Sequence, residues 1–262
     1  MRAEIISIGN ELLIGKTVNT NATWLAKKLT VLGFSVKRII VVPDDKDDIV
    51  KEVRESINRK TRVIIMTGGL GPTFDDKTSE SLAKALGRKW ILNEEAYQMV
   101  KSKYERKGLP LTEHRLKMAK MPENAKPIPN PVGTAPGIQV EHNETLIIAL
   151  PGVPSEMKAM FEQYVEPELR NLVKDRFFIE SRIIVKGIPE STLAPIIDKV
   201  LKANPLVYIK SHPKGAELEK PVIELHLYTS SNNKQEALNT LERAKELLRK
   251  ELLKITKEVF EE

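Results

Sequence analysis

The segment Val63-Ile64-Ile65-Met66-Thr67-Gly68-Gly69-Leu70-Gly71-Pro72-Thr73-Phe74-Asp75-Asp76-Lys77 decides how the chain folds. Residues 62–67 form an apolar, strand-length run. Gly68–Pro72 breaks it sharply, and helical spacing resumes over 77–86 and stops at Gly87. The same grammar recurs upstream. Residues 4–8 read as a strand ending at Gly9, followed by a 9–15 loop and a helix over 19–32 closed by Gly33. Residues 34–42 read as a second strand, 43–45 as a turn, and 46–58 as a helix with Ile49, Val53 and Ile57 on one stripe. Strand–helix alternation of this kind predicts an α/β fold, a mostly parallel sheet with helices on both faces.

Downstream, residues 94–107 and 111–120 have helical spacing, and the Pro-, Asn- and Gly-rich stretch 121–137 reads as a long ordered loop. Residues 138–140 and 145–150 read as a hairpin, and 154–172 as a helix. A boundary falls near 174–178, dividing the chain into domains 1–173 and 174–262. The second reads as a small α+β domain with strands over 182–188, 206–211 and 221–229. Helices over 193–202 and 234–253 lie on one face of its sheet.

At 262 residues with 41% hydrophobic and 30% charged composition, the chain is long enough for a sizeable core and is neither disordered nor a membrane protein. Its apolar runs are strand-sized, and no secretory signal pattern precedes residue 3, so a cytoplasmic location without membrane partners is expected. The absence of cysteine excludes disulfides, thiolate zinc sites and a cysteine nucleophile. The formal charge is +6, but Lys and Arg interleave with Glu over 234–262 as on a solvated helix face. Charge alone therefore does not predict a nucleic-acid partner.

Gly68, Gly69 and Gly71 sit between a strand and a helix, where bare backbone and amide groups at a helix start attract an anion such as phosphate. The plainer alternative is a tight turn. Neither the Walker nor the dinucleotide glycine pattern is present. Asp75 and Asp76 read either as helix-starting acids, with Thr73 and Asp76 as a capping box, or as ligands of a divalent cation shared with phosphate. Thr67, Pro72, Thr73 and Thr78 flank the same loop. A second segment, Gly9-Asn10-Glu11-Leu12-Leu13-Ile14-Gly15, should emerge at the same sheet edge, with Glu11 as a further acid. Asn19 and Asn21 follow, one of them a helix cap. The third, Pro151-Gly152-Val153-Pro154-Ser155-Glu156, is both helix-start grammar and a possible ligand loop. Gly133 and Thr134 lie in a fourth. Loops after several strand ends would converge on one crevice. His114, His142, His212 and His226 lack metal-ligand spacing, and Trp24 and Trp90 read as packing residues. The basic hairpin tip Lys210-Ser211-His212-Pro213-Lys214-Gly215 lacks the Gly-x-x-Gly of an RNA-clamping KH loop.

These stretches resemble the N-terminal module of the CinA family of competence/damage-inducible proteins. They are Gly9–Gly15 with Asn19-Thr20-Asn21, Thr67–Thr78, Asn130-Pro131-Val132-Gly133-Thr134-Ala135-Pro136-Gly137, and Leu150–Met157. Gly187-Ile188-Pro189-Glu190-Ser191 resembles the start of that family's KH-like second domain. The resemblance implies a three-layer molybdopterin-binding, MogA/MoaB-like domain followed by a small α+β KH-like domain. It also implies metal-dependent ADP-ribose pyrophosphatase activity yielding AMP and ribose 5-phosphate, with a divalent ion (Mg, Co or Mn) and potassium implicated. Relatives form dimers or trimers, and a homodimer is expected. Many bear a C-terminal nicotinamide-nucleotide amidase domain, and no amidase activity is expected of this chain. Asn10 replaces the acid of the Gly-Asp-Glu-Leu form of MoeA-like relatives, which argues against a molybdate-insertion metal site.

The expected ligand is a nucleotide-like small molecule, with Asp75, Asp76 and Glu11 catalytic and Asp75 and Asp76 holding the metal. Phosphate would be held by Gly9, Asn10, Asn19, Asn21, Thr67, Gly68, Gly69, Gly71, Pro72, Thr73, Thr78, Gly133, Thr134, Pro151, Gly152, Ser155 and Glu156. Two alternatives use the same sequence. One is a molybdopterin binder or adenylyltransferase; the other is a non-enzymatic, nucleic-acid-associated interaction protein.

Overall fold

A computed structural model describes residues 1–173, 177–214 and 221–261. The chain divides into two compact units, residues 1–30 with 34–172, and residues 31–33 with 173–262. Residues 174–176 of the expected boundary and Gly215 of the basic tip lie outside the described residues.

The first unit begins β1 (Arg2–Ile8), α1 (Asn10–Leu13), α2 (Thr20–Val31), β2 (Ser35–Val42), α3 (Lys46–Asn58), β3 (Val63–Thr67) and α4 (Thr78–Ala85). It continues β4 (Trp90–Leu92), α5 (Glu94–Glu105), α6 (Glu113–Leu116), β5 (Lys120–Pro122), β6 (Lys126–Ile128), β7 (Gly137–His142) and β8 (Thr145–Leu150). It ends with α7 (Pro154–Met160), which passes through a π turn, Phe161–Val165, into α8 (Glu166–Leu172). Six strands form one sheet in the order β2-β1-β3-β8-β7-β6, parallel from β2 to β8 and antiparallel beyond.

Successive side chains of a strand face opposite layers, and here both layers are apolar. Ile6, Ile64, Met66 and Ile147 join Ile49 and Val53 of α3 and Leu82 of α4 in one buried cluster. Ile5, Ile65 and Ile148, also fully buried, point the other way. Trp24 of α2 meets Phe161 edge-on, with centroids 5.3 Å apart. Trp90 donates its Nε1–H to Ser79 Oγ at 3.0 Å. Both tryptophans are packing residues, as expected.

Several local expectations are corrected. The 9–15 loop contains the helical turn α1, and the 111–120 helix shrinks to α6 and a 3₁₀ turn, Lys117–Ala119. Residues 121–137 are not all loop: β6 forms the sheet's edge and β5 pairs with β4. These strands are three residues long, too short to show a period.

The second unit comprises β9 (Phe177–Lys186), α9 (Glu190–Ala203), β10 (Val207–Pro213), β11 (Val222–Ser231), α10 (Lys234–Leu252) and β12 (Val259–Glu261). Its antiparallel sheet has the order β10-β11-β9-β12. A β-α-β-β-α-β chain with this order is a split β-α-β sandwich. β12 pairs beside β9 as a fourth strand that the sequence pattern did not reveal. Buried Leu193, Ile197 and Val200 of α9 and Leu241, Ala244 and Leu248 of α10 cover Ile183, Val185, Ile209, Leu225 and Leu227 of the sheet. No helix among the described residues is long and apolar enough to cross a membrane.

Candidate functional site

In the order β2-β1-β3-β8, four parallel strands end side by side, and the loops that follow them meet. The Gly9 amide donates to the Val42 carbonyl at 3.1 Å, tying the β1 loop to the end of β2. The Gly68 amide donates to the Leu150 carbonyl at 3.0 Å, tying the β3 loop to the end of β8. Together they border a cleft of about 650 Å³, a volume suited to a small-molecule ligand.

The glycine loop is shaped by contacts that exclude side chains. Gly68 and Gly69 have φ of +101° and +66°, in the left-handed region that favours glycine. A Cβ on Gly68 would lie 2.3 Å from the Ile8 carbonyl oxygen, and one on Gly69 would lie 2.3 Å from Thr78 Oγ1. Thr78 is fully buried, donates its hydroxyl to the Gly68 carbonyl at 2.8 Å, and gives its amide to the Gly69 carbonyl at 3.1 Å. It therefore staples the loop to α4. The amides of Gly69, Leu70 and Gly71 meet no protein acceptor among the described residues.

Asp75 and Asp76 do not start the helix, which begins at Thr78 after Lys77 at the N-cap position. Instead they close a turn on Thr73. Asp76 Oδ2 accepts from the Thr73 amide at 2.8 Å and from its hydroxyl, which also reaches Asp75 Oδ1. Hydrogen bonding from Thr73, with a smaller contribution from the charges of Lys117 and Lys77, holds the exposed Asp75 carboxyl below its ordinary range. Glu11 folds back so that its carboxylate sits where a Gly9 Cβ would be. Glu156 lies likewise against Gly133 and accepts from Asn130 Nδ2 at 2.7 Å.

Of the residues expected to bind or react, the cleft is lined by Gly9, Glu11, Gly68, Gly69, Gly71, Pro72, Asp75, Asp76, Gly133, Thr134, Pro151, Gly152 and Glu156. Asn19, Asn21 and Thr67 instead border an adjoining recess of about 90 Å³, to which Glu11 and Gly152 also contribute. Asn19 caps α2 through the Ala22 amide at 3.1 Å and bonds Ser7, so its role is the capping alternative. Buried Asn21 donates to the Gly152 carbonyl at 2.7 Å, while its Oδ1 meets no partner among the described residues. Asn10, Thr73, Thr78 and Ser155 line neither space. Thr73 and Thr78 act on the loop, and the Asn10 amide donates to Asp44 Oδ2 at 2.8 Å.

Among the polar lining residues, three were not expected from the sequence: Asp44, Tyr104 and Lys107. Asp44 follows β2, a strand of the same parallel set, and that position was its available signal. Tyr104 and Lys107 belong to α5 and the turn after it, which no periodicity ties to the crevice.

A mostly parallel sheet whose strand ends carry bare glycine loops and several carboxylates around one cleft defines an α/β ligand-binding domain. The chain belongs to the family described as the probable molybdopterin binding domain, whose pattern matches residues 4–171. The expected α/β domain with a mostly parallel sheet is thus that of the first unit. The chain is 52% identical to a protein of Pyrobaculum aerophilum over 94% of this chain and 92% of that one. It is 47% identical to a protein of Aeropyrum pernix over 100% and 97% of the two chains. Among solved structures it is similar to the CinA protein of unknown function from Thermoplasma acidophilum, with 44% identity and a TM-score of 0.61. That match covers 64% of this chain and 97% of the other.

Proposed function

We propose that the chain is a metal-dependent nucleotide pyrophosphatase that hydrolyses ADP-ribose to AMP and ribose 5-phosphate. The observation that carries this reading is the meeting, in one cleft, of the unpartnered amides of residues 69–71 with the carboxylates of Glu11, Asp75 and Asp76. Successive free backbone amides in a glycine-rich turn favour phosphate oxygens. Adjacent carboxylates repel them unless a cation is shared.

The donor set suits a hard divalent ion, because no His lines the cleft and the chain has no Cys. Among the described residues no group of three or more His, Cys, Asp or Glu is placed to hold a metal. Two carboxylates supplemented by substrate phosphate is the arrangement magnesium-like ions accept. Asp75 and Asp76 would hold the ion, each keeping one oxygen outside its bonds to Thr73. When bound, such an ion neutralises charge on the transferred phosphoryl group. The residue 69–71 amides hold the phosphoryl oxygens, and Glu11 accepts the proton of the attacking water.

The test is incubation of purified protein with ADP-ribose and Mg, Mn or Co, with and without potassium, followed by chromatography for AMP. Release of AMP that is lost in Asp75→Asn and Glu11→Gln is the expected result. No AMP from the wild type under any of these ions overturns the reading.

The family description favours a second reading, in which the same cleft binds a molybdopterin. A pterin that co-purifies with the chain, or pterin-dependent adenylate transfer, would select it over hydrolysis.

A further inference from the structure

The second unit's sheet has two unlike faces. One is closed by α9 and α10. On the other, Tyr208 of β10 stands directly opposite Tyr228 of β11, with ring centroids 5.0 Å apart. Tyr228 is in turn 5.4 Å from Phe178 of β9 and 5.4 Å from His226, and His212 lies 6.3 Å from His226. Five rings thus form a connected row across three neighbouring strands, and Tyr208 is 49% exposed.

Two cations share this face by register. Lys210 of β10 and Arg182 of β9 flank His226 of β11 as consecutive cross-strand partners, and both are exposed. Of the two carboxylates nearby, Glu224 is matched by Lys214 at 3.1 Å and Glu180 is held by a hydrogen bond to His226 at 2.8 Å. The face therefore offers flat apolar rings beside a positive line.

We propose that this open sheet face binds single-stranded nucleic acid, stacking bases on Tyr208, Tyr228 and Phe178 while Lys210 and Arg182 meet the phosphates. A base stacked on an aromatic ring gains from any sequence, and cations beside the rings track the backbone. Antiparallel four-stranded sheets with aromatic residues on their open face bind unpaired bases in this way. A duplex keeps its bases stacked internally and has no use for the row.

The experiment is fluorescence anisotropy of the full chain with labelled ten-nucleotide single-stranded RNA, the same sequence as DNA, and duplex DNA at low salt. Single strands bind at least tenfold more tightly than duplex. Tyr208→Ala weakens them about tenfold, and Tyr208→Phe restores binding. Lys210→Glu weakens them and flattens the dependence of log K on log salt by about 0.7. Preference between the RNA and DNA arms reports contact with the 2′-hydroxyl, and binding of either supports the proposal. Failure of both single strands to bind, tighter binding of duplex, or indifference to both Tyr208→Ala and Lys210→Glu overturns it.

Discussion

A Cβ atom on Gly71 would lie 2.6 Å from Asp76 Oδ2, the oxygen that receives the Thr73 amide. The glycine therefore leaves room for the carboxylate that shapes the turn beside the cleft. Because the obstructed atom is the end of a side chain, a small rotation relieves the contact in Gly71→Ala. Stability should change by less than about 1 kcal/mol, while ADP-ribose turnover should fall roughly tenfold, as small misplacements in an active site do. Urea unfolding alongside AMP release separates the two effects. Undiminished turnover would remove Asp76 from the reaction.

Two other glycines distinguish local strain from collision. Gly87 has φ +65° with nothing within 4 Å of its Cβ direction, so Gly87→Ala should cost about 1 kcal/mol from backbone conformation alone. Gly68 adds a backbone clash with the Ile8 carbonyl, which no rotamer change relieves. Gly68→Ala should cost about 3 kcal/mol or more. Denaturant midpoints of the two variants check the order.

The Thr78 hydroxyl is the loop's buried anchor. Thr78→Val keeps the shape but leaves the Gly68 carbonyl without this donor, which should cost about 1–3 kcal/mol. Thr78→Ser, retaining the hydroxyl, should recover most of that loss. Equal destabilisation by both substitutions would assign the effect to packing, not to the hydrogen bond.

Far from the cleft, Glu4 is buried in β1 and accepts from Arg59 Nη2 at 2.7 Å and Ser56 Oγ at 2.8 Å. Burial raises its pKa, but the Arg59 and Ser56 bonds and the Arg59 charge outweigh burial and hold it below the ordinary 4.5. A depressed folded pKa gives stability that is present above the unfolded value and lost as pH falls through the folded one. Thermal stability of the wild type should therefore decline below about pH 4.5, with a smaller decline in Glu4→Gln. At neutral pH that substitution should cost about 3 kcal/mol, because Arg59 loses its buried partner. Melting curves across this range test both statements.

Most of the first unit was legible because its signals are local. The 62–67 run, the break at Gly68 and the 77–86 helix each follow from a few adjacent residues; the observed β3 starts one residue later, and α4 is one residue shorter at each end. Three-residue strands such as β4 and β6 were not legible, since no period can be read from so short a stretch. The structural contacts of Thr78 and Asn19 were not legible for the same reason in reverse. Their residue types suit a site, but buried partners engage them in loop and helix-end contacts that sequence spacing does not encode.

By itself the sequence determined the strand-and-helix alternation, the glycine breaks and the acids beside them, because backbone propensity and periodicity act between near neighbours. The tertiary structure alone decided that Asp44, Tyr104 and Lys107 join the cleft and that Phe178, Tyr208 and Tyr228 form one row. Those groupings depend on which strands lie side by side, and sheet order is set by packing between residues far apart in the chain.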